Sequence, residues 1–160
     1  VSLASGTQLI DHHTAIDHAV PNCHSFERYK AVLGERSKGV FNGKILVRKD
    51  AQHTDAKQSN HSLLLSDDAE MNSKPELQIF ADDVKCTHGA TIGELDAEAI
   101  FYLRTRGIPE NEARKLLTLA FESEVLSEIK LPFVKQYCEH ELLQRLTQVL
   151  KIGNGCQEIR

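Results

Sequence analysis

The stretch Ala90-Thr91-Ile92-Gly93-Glu94-Leu95-Asp96-Ala97-Glu98-Ala99-Ile100 decides the fold, because the pattern of the whole chain changes inside it. Ala90-Thr91-Ile92 is the last of a series of short apolar or β-branched patches, and beyond Asp96 apolar residues recur at spacings of three and four. Upstream of Gly93 the patches are Ala31-Val32-Leu33, Val40-Phe41, Ile45-Leu46-Val47, Leu63-Leu64-Leu65 and Leu77 to Phe80. Polar stretches and turn residues separate them: Pro21-Asn22, Asn42-Gly43, Asp67-Asp68 and Lys74-Pro75. Short strands split by turns predict an all-β region. Asn42-Gly43 fits a two-residue hairpin, and it fits a corner between the strands of a solenoid equally well. No sequence repeat of fixed period stands out, which a solenoid tolerates when its coils keep their shape and lose their similarity. The chain begins at Val1 without Met and reads as a fragment. A solenoid cut partway along would expose its first coil, to be covered by upstream sequence or by dimerisation.

Downstream of Gly93 the pattern predicts three helices. Asp96 is placed to cap the first, with Glu98 in its first turn, Ala99, Ile100 and Leu103 turned inward, and Gly107 as its stop. Pro109, Glu110 and Glu112 suit the start of the second. Its predicted apolar stripe is Ala113, Leu116, Leu117, Ala120, Phe121 and Val125. Pro132 opens the third, whose buried side would hold Val134, Cys138, Leu142, Leu146 and Val149, with an end near Gly153.

Bulk properties narrow the function. Hydrophobic content of 41% and charged content of 26% are those of a globular chain of 160 residues, enough for one ordinary domain or two small ones. The net charge of −4 and the lack of a Lys/Arg stripe argue against nucleic acid as a partner. No apolar run is long enough to span a membrane, and the N-terminus has no signal-peptide pattern. Four irregularly spaced cysteines, Cys23, Cys86, Cys138 and Cys156, point to a reducing compartment rather than a disulfide scaffold.

The sharpest local feature is Cys86-Thr87-His88. On a strand, residues two apart share a face, so Cys86 and His88 would present a thiol and an imidazole side by side. Both are ligands for iron, zinc or copper(I), and thiolate is the common iron–sulfur ligand. Two donors do not complete a site. The plainer reading, a half-buried Cys and a hydrogen-bonded His, stands beside it. Asp11-His12-His13 with Asp17-His18 is a second candidate metal cluster, weighed against solvated polar surface. Gln52-His53-Thr54-Asp55 and Gln58-Ser59-Asn60-His61 read as solenoid corners rather than an active-site loop. Phosphate loops, dinucleotide-binding glycines, the serine elbow and the zinc helix are all missing. Asp67-Asp68 and Asp82-Asp83 make no acid/base dyad, since strand neighbours diverge. Cys138 reads as core of the third helix, and Cys156 as part of a mobile tail.

Three ordered segments carry a resemblance. Val40-Phe41-Asn42-Gly43 followed by Asp50 to Leu65, then Lys74 to Thr91, then Ala99 to Ile108 together resemble the SufB/SufD family over about residues 30 to 130. The form Lys85-Cys86-Thr87-His88-Gly89-Ala90-Thr91 resembles its SufD branch. The resemblance implies the C-terminal portion of a right-handed parallel β-helix (residues 1–93), a helical domain of three helices (94–152) and a flexible tail (153–160). It implies a non-enzymatic scaffold for iron–sulfur cluster assembly that binds no cofactor stably and holds a transient cluster only in the full complex. The implied partners are the ATPase SufC, docked on the C-terminal helices, and SufB, at the end of the β-helix. SufC dimerisation would pull on the helices and rearrange that interface, where His88 and Cys86 would be transient cluster ligands. The implied location is the cytoplasm, or an organelle stroma in a plant or alga. A homodimer of the isolated chain is compatible with open β-helix edges. Two alternatives stay open: a metalloenzyme joining Cys86 and His88 to a histidine of the Asp11–His18 cluster, and a solenoid interaction platform with no metal-ligand role.

Overall fold

Parallel pairing at a nearly constant offset builds the β part of the computed structural model, which describes residues 1–152. Seven strands are formed: β1 (Ser2–Ala4), β2 (Leu9–His18), β3 (His24–Leu33), β4 (Lys38–Val47), β5 (Asp55–Leu64), β6 (Glu70–Ile79) and β7 (Lys85–Glu94). Odd strands make one sheet in the order β1-β3-β5-β7, and even strands a second in the order β2-β4-β6. Leu9 lies opposite Lys38 and Lys38 opposite Glu70; His24 lies opposite Asp55 and Asp55 opposite Lys85. Contacts between stacked coils therefore join residues 29 to 32 apart, as in Gly6–Glu35, His61–Thr91, Glu27–Gln58 and Lys38–Glu70. The result is a parallel β-solenoid of about three turns, the expected β-helix architecture.

Within each strand alternate residues face the interior. Gly39, Phe41, Gly43, Ile45 and Val47 of β4 are all buried, and the residues between them are not. Leu33 of β3 lies against Gly39, and Ala56 of β5 packs with Ile45 and Val47. Tyr29 packs against Phe41 in a tilted arrangement, with ring centroids 4.8 Å apart.

The turns fall in different places from those the sequence suggests. Asn42-Gly43 and Lys74-Pro75 are not turns but lie inside β4 and β6. A parallel ladder has no hairpins, so an Asn-Gly pair has no two-residue loop to make. Gly43 serves space instead: a Cβ there would come within 2.4 Å of Gln58 Nε2 and 2.6 Å of Phe41 Cζ. Pro75 sits on the edge strand, where its missing N–H breaks no ladder. The real corners stack on one another. Asn22 (φ 61°) and His53 (φ 61°) occupy one column of corners, Gly6 (φ 62°) and Glu35 (φ 55°) another. Asn22 N–H donates to the Gln52 carbonyl at 2.8 Å, and His53 N–H to that of Asp83 at 2.7 Å. Gln52-His53-Thr54 is thus a corner as expected, whereas Gln58-Ser59-Asn60-His61 is strand.

Three helices follow: α1 (Ala97–Thr105), α2 (Glu110–Leu126) and α3 (Pro132–Ile152). The Asp96 carboxylate accepts from the Glu98 N–H at 2.8 Å and caps α1, and Gly107 takes φ 85° just beyond its end. Leu142 and Leu146 of α3 are buried, with Val134, Cys138 and Val149 half-buried beside them, as the spacing predicts. The predicted tail, with Gly153 and Cys156, lies outside the described residues.

The buried face of α2 differs from the predicted stripe. Ala113, Thr118, Glu122 and Leu126 are buried, Leu117, Phe121 and Val125 are half-buried, and Leu116 and Ala120 are exposed. The reason is the surface beneath. α2 packs on the outer face of β3, where Lys30 is 4% exposed. The Lys30 ammonium lies 4.2 Å from the centre of the Phe121 ring, donates to the Phe121 carbonyl, and reaches Glu124 Oε2 at 2.6 Å. Arg28 adds a pair to Glu124 at 3.2 Å. A polar solenoid wall thus turns a partly polar helix face inward. Glu122 is fully buried with no hydrogen-bond partner for either carboxylate oxygen, and burial pushes its carboxyl up to about 7.

Two outcomes follow. Gly43→Val lowers the unfolding free energy by about 1–3 kcal/mol in urea titration, the range for overpacking a filled interior. Gly93→Val leaves it unchanged within error, because a Cβ at Gly93 meets nothing within 4 Å. For Glu122 the raised value means that the folded state holds the proton more tightly than the unfolded chain. Stability falls as pH rises from about 4.5 towards 7 and stays lower above it. Glu122→Gln is therefore more stable than the parent at pH 8, by up to about 3 kcal/mol, and the difference shrinks towards pH 5. An equal difference at both pH values would contradict this.

Candidate functional site

The geometry of the Cys86/His88 pair follows from its position on the terminal strand. β7 pairs with β5 on one side only; its other edge is open among the described residues. Cys86 lies opposite Ala56 and His88 opposite Gln58. Ala56 and Gln58 are buried interior residues, so both members of the pair continue the inner face of the solenoid at its open end. The side-by-side arrangement inferred from spacing is the one the strand produces.

The two donors differ in surroundings. Cys86 is half-buried against the cluster of Ile45, Val47, Ala51, Ala56 and Ala81. Burial pushes its thiol up, the nearby Asp55 charge adds to the effect, and a hydrogen bond with the Ala56 backbone opposes it. The resting group is a neutral thiol, and only an arriving cation would favour the thiolate. His88 is exposed and makes no side-chain hydrogen bond among the described residues. No group of three or more His, Cys, Asp or Glu side chains able to hold a metal occurs among the described residues. The pair offers one sulfur and one nitrogen, and completing a coordination sphere takes donors from outside.

The other candidate residues are dispersed. Asp11 and His13 share the outer face of β2 and pair at 2.9 Å. His12 turns inward, bonding Ser2 Oγ at 2.9 Å. Asp17 takes a two-pronged contact from Arg48, at 3.0 and 2.7 Å. His18 is buried against Ser25 Oγ at 2.9 Å. This cluster lies in the first coil of the opposite sheet, away from β7, so the structure does not bring a histidine from it to Cys86 and His88. Asp67-Asp68 and Asp82-Asp83 sit at corners. Cys138 lines an apolar groove of about 480 Å³ with Leu3, Leu126 and Leu142.

Sequence reading missed the polar interior. Gln58 (2% exposed), Asn60 (2%) and Ser62 (3%) are buried in β5 although the segment looks like a surface corner. The signal was present as an alternation: Ala56, Gln58, Asn60 and Ser62 stand two apart, on one face of a strand. Lys30 and Glu124, which join helix to solenoid, and the buried Glu122 carry no local signal.

Residues 1–121 match the family model described as "SUF system FeS cluster assembly, SufBD core domain". The chain belongs to the SufB/SufD core family. Among its relatives in that family is an iron–sulfur cluster assembly SufBD family protein of Synechocystis, 45% identical over 131 residues, which are 82% of this chain and 29% of the relative. The iron–sulfur cluster assembly protein SufD of Escherichia coli is 39% identical over 139 residues, 87% of this chain and 33% of that protein. The chloroplastic protein ABCI7 of Arabidopsis thaliana is 42% identical over 120 residues, 74% of this chain and 25% of that protein. The chain therefore spans about a quarter to a third of the length of these relatives. No helix among the described residues is long and apolar enough to cross a membrane.

The raised thiol has a direct readout. In mass-mapped alkylation at pH 7, Cys86 of the native chain reacts more slowly than the same residue in the urea-unfolded chain. The native rate climbs as pH passes above the ordinary thiol range. Equal rates in the two states would show that the packing around Cys86 does not restrain its thiol.

Proposed function

We propose that this chain is the cluster-facing and ATPase-docking part of a SufD-type scaffold, with His88 and Cys86 as transient ligands to the iron–sulfur cluster under assembly. One observation carries the reading: the strand that bears both donors is the terminal strand of the solenoid, and it presents them on the interior face at an open end. A site of this kind is half of a coordination sphere. It suits a cargo that must leave again, since a closed four-ligand site holds its metal firmly. The cluster is handled as cargo, and the scaffold itself turns over no substrate.

The rest of the surface supports a division of labour. The open edges of β6 and β7, with Ile79, Phe80 and Ile92 exposed nearby, suit a second solenoid as partner, and SufB is the proposed one. The helices and the segment before α3 expose Phe101, Leu131, Phe133 and Tyr137, a set of aromatic and aliphatic anchors suited to the ATPase SufC. The same open edges suit pairing of two copies when no partner is present. Nucleotide hydrolysis is assigned to SufC, in keeping with the missing phosphate loop. The proposed setting is the cytoplasm, or the stroma if the source is a plant or alga.

Replacing His88 by Ala in the full assembly complex reduces cluster formation at least tenfold, read from the visible absorbance of newly assembled cluster, while the complex still co-purifies. Wild-type yield in His88→Ala would remove the ligand role. Wild-type yield in the double variant Cys86→Ala/His88→Ala, together with loss of assembly on removing the helices, would favour an interaction platform without ligands.

A further inference from the structure

Inside the solenoid, three polar side chains from successive coils share one register column. Glu27 of β3 lies opposite Gln58 of β5, and Gln58 lies opposite His88 of β7. Gln58 Nε2 donates to Glu27 Oε2 at 2.8 Å. A carboxylate only accepts, so this bond fixes which end of the amide faces Glu27. The other end, Gln58 Oε1, is buried and has no hydrogen-bond partner.

The surroundings narrow the choice of donor. Across the interior stands Gly43, which has no side chain, with the Phe41 ring beside it. Asn60, the next interior residue of β5, directs its amide to Ser73 Oγ at 2.9 Å and makes no bond to Gln58 Oε1. Ala56, on the other side, has no polar side chain. In the following coil the register position over Gln58 belongs to His88, whose imidazole carries an N–H. The His88 ring is exposed, with no bond of its own among the described residues.

We propose that Gln58 is a positioning residue for His88: its Oε1 accepts one ring N–H of His88, fixes the tautomer, and leaves the lone pair of the other ring nitrogen for a metal ion. Glu27, through the Gln58 amide, holds the acceptor in that orientation. Ligating imidazoles are held in this way in metal sites generally, by an acceptor on the nitrogen that does not bind the metal. The value of the column for cluster assembly rests on the ligand reading of His88, whereas the hydrogen bond itself does not.

The test is therefore made without iron or sulfide. Ring nitrogen shifts of the neutral histidines are recorded by NMR at about pH 8.5, where an imidazole has lost its extra proton. Parent chain, Gln58→Leu and Glu27→Gln are compared. In the parent one tautomer of His88 dominates. In Gln58→Leu the ratio of the two forms moves by about fivefold, the factor that one net hydrogen bond supplies. Glu27→Gln moves it in the same direction by less, because a glutamine at that position both donates and accepts and so frees the Gln58 amide to flip. The rings of His12 and His18, bonded to Ser2 and Ser25, serve as the control for an intact fold. Should Gln58→Leu fail to fold, Glu27→Gln decides, since it changes almost no volume. An unchanged His88 ratio in the folded variants overturns the proposal and leaves the ligand reading standing. Wild-type cluster assembly by His88→Ala would do the reverse.

Discussion

Parallel stacking in register, one coil directly over the next, is the constraint on which the rest of this structure depends. Because each coil advances by about thirty residues, every interior position is repeated by the same position one coil on. A residue's environment is then set by partners it cannot identify locally. Gly43 is confined by Gln58, which belongs to the next coil. Tyr29 packs against Phe41 across the two sheets. Asn22 and His53 adopt left-handed backbone because the corners must repeat for their N–H groups to reach the carbonyls of the coil above.

The same stacking explains why interior-facing residues are left uncovered at one end. In the middle of the solenoid a polar interior side chain finds a partner in the coil above or below, as Gln58 does in Glu27. At β7 the stack stops, and the residues that would be buried in a further coil are left at the surface. Cys86 keeps the apolar packing of its neighbours and with it a thiol that resists ionisation, whereas His88 stands in the open. At such an end the inner face of the last coil is left uncovered among the described residues.

Charged side chains help to tie α2 to the solenoid. Lys30, buried on the outer face of β3, has the Phe121 ring over it and the Phe121 carbonyl and Glu124 as acceptors. A buried ammonium needs such partners, since its desolvation is costly without them. Lys30 alternates along β3 with Glu27 and Tyr29, which face the interior.

By itself the sequence determined the period of each half: strand-sized patches to Gly93, then three helices with the Asp96 cap, the Gly107 stop and the buried side of α3 as read. It also determined that Cys86 and His88 share a face, because strand alternation is a local rule. Tertiary structure decided whatever depends on contacts between coils. It made Asn42-Gly43 and Lys74-Pro75 strand interior instead of turns, since glycine and proline can answer to close packing and to an edge as well as to a bend. It turned Gln58, Asn60 and Ser62 inward, and it rotated α2 to bury Thr118 and Glu122 in place of Leu116 and Ala120. Local propensity describes how a segment can fold. Which face it buries depends on a neighbour about thirty residues away in sequence and one coil away in space.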